Sequence, residues 1–350
     1  MRKYEIKEEE LLGEIITVKN SQDFSKLSTP AASLKRGELV AFPTETVYGL
    51  GANALDEKAV KSIFLAKGRP QDNPLIVHVA EKEDIEKLVK SVPDIAKKVL
   101  DALTPGPITI ILEKSDLVPD VVTAGGKTVA IRIPESEIAR ELIKRAGVPV
   151  AAPSANISGK PSPTKASHVA EDLLDAVSYI VDGGACRVGL ESTVLDLTVA
   201  PPTILRPGGI THEVLENLLG KVVGYKNAEN ENTAPKSPGM KYRHYAPKAK
   251  MTVYKGNLCR EEIKKAINHL SCDKIYVLTA GDFSYDNAKT INCGKTAEEY
   301  SKNLFDALRS ADNFGAQIIF AEFPFSSGGI TTALFNRIFK SCGGNVVECK

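Results

Sequence analysis

The sequence predicts an α/β protein in which an open, mixed, twisted sheet with helices packed on it is followed by a smaller parallel α/β domain. Three observations predict it. Apolar runs at 75–79, 108–112, 129–133 and 148–152 have the length and unbroken hydrophobicity of strands buried on both faces. Segments with apolar residues at i, i+3 and i+4 alternate with them, the pattern of helices laid on a sheet. Between Gly224 and Pro247 the alternation stops, and beyond it the same pattern restarts.

The elements follow in order. Thr29 before Pro30 reads as an N-cap with proline at the first helical position, for a helix ending near Gly37. A short strand over 39–42 comes next. Asp56 is placed to cap a helix over 57–67, where Val60, Ile63 and Phe64 share one face. Further helices are expected over 85–90, 95–103, 136–146 and 165–174, and strands over 178–181, 193–197 and 203–205. Residues 227–232 are polar and aperiodic, and Pro235, Pro238, Gly239 and Pro247 follow, which is the composition of a linker. Strands over 251–254, 274–278 and 316–320 then alternate with helices over 261–270, 297–310 and 331–339. The expected organisation is a catalytic domain over 1–224, a linker over 225–249 and a small domain over 250–350. Gly328-Gly329 precedes the last helix and shapes its turn more than it invites an anion.

A chain of 350 residues is long enough for two buried cores, and 43% hydrophobic with 25% charged residues is ordinary for a globular protein. The N-terminus carries no apolar signal core, and no run is long enough to span a membrane. Six cysteines without C-x-x-C spacing and five scattered histidines argue against structural zinc and for reduced thiols in a cytoplasmic protein. A net charge of +1 does not mark a nucleic-acid binder. One stretch does gather cations: Lys236, Lys241, Arg243, Lys248 and Lys250 stand among Tyr242, His244 and Tyr245 with no acidic residue between Thr233 and Lys250.

Three segments carry the chemistry. Phe42-Pro43-Thr44-Glu45-Thr46-Val47-Tyr48-Gly49-Leu50-Gly51 reads as one wall of a site, too polar for core, with glycines that admit a ligand to the backbone. Lys67-Gly68-Arg69-Pro70 with Asn73-Pro74 is a stiff cationic connection suited to a polyphosphate. Ser154, Asn156 and Ser162 supply hydroxyls and an amide in the loop after the strand at 148–152. Arg132 is costly to bury unpaired, so it either meets an acid or binds an anionic ligand. Arg206 and Glu191-Ser192 add a cation and a hydroxyl at strand ends. This inventory has no covalent nucleophile and no histidine–carboxylate pair, which suits nucleotidyl transfer by positioning and charge neutralisation. Two phosphate motifs fail on context. Gly126-Lys127-Thr128 runs into a strand rather than a helix, and Gly49-x-Gly51-x-x-Ala54 lacks the tight strand–turn–helix of a dinucleotide fingerprint.

Residues 12–215 resemble the YrdC-type domain of the threonylcarbamoyl-AMP synthases. The likeness rests on residues 42–51, on Lys67-Gly68-Arg69-Pro70, on Pro153-Ser154-Ala155-Asn156 and on Leu205-Arg206-Pro207-Gly208. Residues 237–247 resemble the linker of the two-domain members. The resemblance implies a YrdC-like sheet with a Rossmann-like C-terminal domain, and a nucleotidyltransferase making threonylcarbamoyl-AMP and pyrophosphate from L-threonine, bicarbonate and ATP. Magnesium would arrive with ATP, with no metal site of the protein's own. Lys67, Arg69, Ser154 and Asn156 would be catalytic. Threonine would be held by Thr46, His78, Arg132, Ala152 and Ser192. ATP would be held by Arg69, Asn73, Thr128, Ser154, Ser162, Arg206, His244 and Tyr245. The product would feed the tRNA threonylcarbamoyl-transferase machinery, with direct contact to tRNA left open. The linker would close over the ATP site as a lid. A non-catalytic RNA-binding module and a dinucleotide-dependent oxidoreductase stand as alternatives.

Overall fold

Short apolar runs bounded by turn residues pair into two sheets in the computed structural model, which describes residues 12–225 and 245–350. The N-terminal elements are β1 (Glu14–Thr17), α1 (Ser28–Arg36), β2 (Val40–Phe42), β3 (Gly49–Asn53), α2 (Glu57–Lys67) and β4 (Ile76–His78). Then come α3 (Asp94–Leu103), β5 (Ile108–Glu113), α4 (Asp120–Thr123), β6 (Thr128–Arg132), α5 (Glu137–Ala146) and β7 (Val150–Ala151). They are followed by α6 (Ala166–Leu173), β8 (Tyr179–Asp182), β9 (Thr193–Asp196), β10 (Thr203–Arg206) and α7 (His212–Leu219). The ten strands lie in the order β1-β8-β2-β3-β7-β4-β6-β5-β9-β10. The pairs β1–β8, β8–β2, β4–β6 and β5–β9 are parallel. The remaining pairs are antiparallel, so the sheet is mixed.

The second part runs β11 (Lys250–Lys255), α8 (Cys259–Asn268), β12 (Ile275–Thr279), β13 (Lys289–Asn292), α9 (Ala297–Asn313), β14 (Ile318–Phe323), α10 (Ile330–Ser341) and β15 (Val346–Glu348). Its five strands are all parallel, in the order β13-β12-β14-β11-β15. Among the described residues no helix is long and apolar enough to cross a membrane.

Local chemistry sets the boundaries. Asp56 caps α2 by accepting from the amides of Lys58 and Ala59, and Gly68, at φ 57°, closes it. Asp56→Ala leaves those amides without a partner and should cost about 1 kcal/mol of stability. Denaturant unfolding checks this as a lower midpoint at unchanged slope. Two expectations fail and a third holds. Thr29 is not a cap, because a 3-10 helix over Ser21–Leu27, itself capped by Asn20, runs directly into α1. Residues 85–90 form no helix. A single 3-10 turn over Lys82–Ile85 ends there, and Lys90 donates instead to Glu113 O at the edge of the sheet. Gly328 and Gly329 do adopt positive φ, as a turn requires, and the Gly329 amide donates to the Glu213 carboxylate of α7.

The two sheets meet through buried charge. Arg309 of α9 donates to Asp172 of α6 at 2.7 Å and to Pro161 O, and Arg337 of α10 donates to Glu191 at 2.6 Å. At Gly189, with φ +76°, an added Cβ would lie 2.4 Å from Lys302 Cα of α9, so main chain packs on main chain.

Candidate active site

The segment after β2 is polar yet buried, against the expectation that it is too polar for core, and Thr44, Val47, Tyr48 and Gly49 line a cavity. Thr44, Glu45 and Thr46 are 5%, 6% and 0% exposed. Burial is affordable because the segment satisfies itself: Thr44 Oγ1 donates to Val47 O at 2.6 Å, shares a bond with Thr46 Oγ1, and accepts the amides of Thr46 and Val47. Gly49 lines that cavity, and both glycines also answer to packing within the sheet. Gly49 and Gly51 lie inside β3, and a Cβ on Gly51 would meet Val150 Cγ1 at 2.8 Å and Phe42 Cε1 at 2.9 Å. Packing within the sheet demands glycine there, and a dinucleotide fingerprint is ruled out because no helix follows the glycines directly.

The second and third segments are locked together. Lys67, in the last turn of α2, is 2% exposed, and its Nζ donates to the carbonyls of Ser154 and Asn156. Burial, then the Arg69 charge, holds its pKa well below the usual lysine value. Ser154 Oγ donates to Asn156 Oδ1 at 2.6 Å, and Asn156 Nδ2 donates to Ile157 O and Lys160 O. The loop is tied back to the first segment by Tyr48 N to Pro163 O and Leu50 N to Pro153 O.

Strand register places His78 beside Arg132. Arg132 Nη2 pairs with Glu45 Oε1 at 2.5 Å, while its buried Nε has no partner in the protein. The expected alternatives, an acid or a ligand, are therefore both open to this one side chain. His78 Nδ1 faces Ile76 O at 3.2 Å, so that nitrogen carries the proton and Nε2 is an acceptor. Burial, then Arg132, pushes His78 down to about 3, and the ring is neutral. Arg69 Nη2 donates to Asn73 O and Pro74 O, both at 3.1 Å, and its buried Nε and Asn73 Oδ1 have no partner. Arg206 donates through Nε to Ser192 O and through Nη2 to Ser192 Oγ, both at 3.1 Å. Burial lowers both Arg69 and Arg206 to about 10, which leaves them cations at neutral pH.

One cavity collects most of these groups. Arg69, Ser154, Asn156, Ser162, Arg206 and Tyr245 line it with His78, Arg132 and Ala152. Lys67, Thr46 and Ser192 do not line it. They are buried, and Lys67 and Ser192 hold lining residues in place. Asn73 and Thr128 are likewise outside the lining: Asn73 stands three residues before β4, and Thr128 opens β6, at the far end from Arg132. His244 and the rest of 226–244 lie outside the described residues, and so does most of the expected lid. Tyr245 is described: it is buried, at φ 64°, and stacks on Phe305 with ring centroids 5.1 Å apart. Sequence reasoning missed the roles of three groups here. Lys160 and Glu191 line the cavity and Glu45 pairs with Arg132, but all three partnerships are non-local and leave no mark on spacing.

The fold and cavity define an α/β protein with a cavity lined by Arg69 and by two buried arginines at strand ends, Arg132 and Arg206. A family model described as "Telomere recombination" (Sua5_yciO_yrdC) matches residues 32–208, and one described as "Threonylcarbamoyl-AMP synthase, C-terminal domain" matches 210–343. The chain is 46% identical over 341 residues to a threonylcarbamoyl-AMP synthase of Pyrococcus abyssi (strain GE5 / Orsay), covering 95% of this chain and 99% of the relative. It is 46% identical over 342 residues to the Bacillus subtilis (strain 168) protein of the same name, covering 95% and 97%. A solved structure described as "Crystal structure of P. abyssi Sua5 complexed with L-threonine" superposes with a TM-score of 0.92 at 46% identity, over 96% of this chain and 99% of that one. The chain belongs to the threonylcarbamoyl-AMP synthase family.

Proposed function

We propose that this chain is an L-threonylcarbamoyladenylate synthase, joining L-threonine, bicarbonate and ATP into threonylcarbamoyl-AMP with release of pyrophosphate. One observation carries the reading. Two arginines, Arg69 and Arg132, line the same cavity, and the buried Nε of each has no partner in the protein. Arg69 is bonded to the carbonyl of Pro74 just before β4, and Arg132 ends β6 beside His78 at the end of β4. Four residues of extended chain, Leu75 and the three of β4, separate those backbone points, about 13 Å at the usual rise. An N–H buried without an acceptor is costly, and an anion at each end removes that cost. A cavity that takes two anions at that separation suits a carboxylate and a polyphosphate.

At the Arg132 end the threonine carboxylate takes the free Nε, and neutral His78 Nε2 accepts from the amine or the hydroxyl. Neutral surroundings favour the uncharged amine, whose nitrogen forms a bond to the carbon of bicarbonate with loss of water. The carbamate oxygen then attacks the α-phosphorus of magnesium-bound ATP, and the bond to the β-phosphate oxygen breaks to release pyrophosphate. Arg69 and Arg206 neutralise the phosphates, and Ser154 and Ser162 orient them, with Lys67 and Asn156 fixing the loop and Tyr245 closing the wall. Thr46 and Ser192 are assigned to threonine from behind the cavity wall, Ser192 through Arg206, to which it is bonded, and Asn73 before β4 and Thr128 at the start of β6 are assigned to the nucleotide. The product is suited to transfer onto tRNA by a separate enzyme.

Incubation with ATP, threonine, bicarbonate and magnesium should release pyrophosphate only when threonine is present. Release that ignores threonine, or none at all, would sink the reading. An RNA-binding module without catalysis is opposed by the near-neutral net charge of +1.

A further inference from the structure

We propose that Arg337, on α10, is a positioning residue for the nucleotide end of the cavity: by holding Glu191 it keeps that carboxylate from neutralising Arg206. The inference rests on the synthase reading, because it treats Arg206 as a phosphate-binding cation.

Arg337 does not line the cavity and is fully buried. Its Nε donates to Glu191 Oε2 at 2.6 Å, its Nη2 to Pro207 O at 2.9 Å and its Nη1 to Asn336 Oδ1 at 2.8 Å. Glu191 does line the cavity, and its other oxygen accepts from Ser162 Oγ at 2.6 Å. The second sheet thus reaches the first sheet's site at three neighbouring points: the carboxylate of Glu191, the hydroxyl it orients, and the carbonyl next to Arg206. The Arg337 guanidinium also lies 5.8 Å from the Tyr245 ring, so that wall is backed by the same group.

Charge balance gives the role its content. Arg206 stands close enough to Glu191 for each to shift the other: burial opposes ionisation of Glu191, yet Arg337 and then Arg206 bring it down to about 2. Arg206, Arg337 and the Lys340 ammonium gather around this one carboxylate, which leaves a net positive charge at that end of the cavity. Removing Arg337 takes away the cation bonded to Glu191 and lowers that charge by one. Without Arg337, the buried Glu191 charge has Arg206 as its remaining neighbouring guanidinium, and the field offered to a phosphate weakens. Ser162 loses its orientation at the same time, since the acceptor that fixes its hydroxyl has turned. The threonine end, built on Arg132, Glu45 and His78, shares none of these bonds.

The test is a double-mutant cycle on the full chain, with Mg·ATP affinity read by calorimetry and KM measured for ATP and threonine. R337M should weaken ATP binding by about tenfold or more and leave the threonine KM within about threefold. In an E191Q background, where there is no carboxylate to misdirect, adding R337M should change ATP affinity by less than about threefold. That second comparison stands even if R337M alone does not fold, because the double variant leaves neither charge of the pair buried alone. Equal losses for ATP and threonine, or a tenfold loss of ATP affinity on adding R337M to E191Q, overturn the role. A wild type that binds ATP but shows no threonine-dependent pyrophosphate release overturns the synthase reading instead. A wild type that binds no ATP overturns both.

Discussion

Lys67→Met should lower kcat/KM for threonine-dependent pyrophosphate release by about a hundredfold or more. Met keeps the volume of the side chain but cannot donate to the carbonyls of Ser154 and Asn156, which Lys67 Nζ bridges. Each carbonyl stripped of a buried donor costs about 1–3 kcal/mol, so the loop is expected to move until it finds others. Ser154 and Asn156 both face the cavity, and a shift of about 1 Å at a positioning loop is enough for the loss stated. Circular dichroism should remain that of the wild type, since the change lies at the end of α2 and not within a sheet. Activity within a few-fold of wild type would mean that the loop holds its shape without the lysine.

Arg132→Ala should raise the threonine requirement by about 30-fold to 1,000-fold, the equivalent of about 2–4 kcal/mol for a broken charge-assisted pair, and leave ATP affinity near wild type. The same change strands Glu45, whose side chain is 4% exposed, at a cost of about 3–5 kcal/mol in stability. The two effects separate in the variant carrying both E45Q and R132M, which removes both charges. Its thermal midpoint should recover most of the loss while its threonine affinity does not. Calorimetry that found ATP binding lost and threonine binding kept would reverse the assignment of the cavity's two ends.

The sheet was legible where burial on both faces left unbroken apolar runs, as at β5 and β6, and where a cap residue precedes a helical stripe, as at Asp56. It was illegible where residue type misleads. Gly49–Asn53 does not look like a strand, yet it is one, because bulky neighbours on β2 and β7 leave no room for side chains there. The helix expected over 85–90 lost to a sheet edge that a local window does not contain. The site shows the same divide. Arg132, Ser154 and Arg206 announce themselves as polar groups at or just past strand ends, and Arg69 as a cation just past a helix end. Their supports do not: Glu45 is 87 residues from Arg132, and Glu191 is 146 from Arg337. Segments 42–51 and 153–164 could be read as site walls without any sign that they bond to each other.

Gly189 and its two flanking ion pairs decide how substrates get in. With the main chain of Gly189 against that of Lys302 there is no side chain to rearrange, so the sheets either stay in contact or separate outright. Separation would unpair Arg309 from Asp172 and Arg337 from Glu191. At about 3–5 kcal/mol for each buried pair that is broken, the cost is about 6–10 kcal/mol, a parted fraction of about 10⁻⁴ to 10⁻⁷. So rare a form is a poor doorway. Substrate entry is then expected without parting of the sheets; Lys160, a lining residue whose side chain is 39% exposed, marks one edge of the cavity, where Ala246 N is bonded to Gly159 O. On that balance the second sheet serves as a fixed back plate, not a moving jaw.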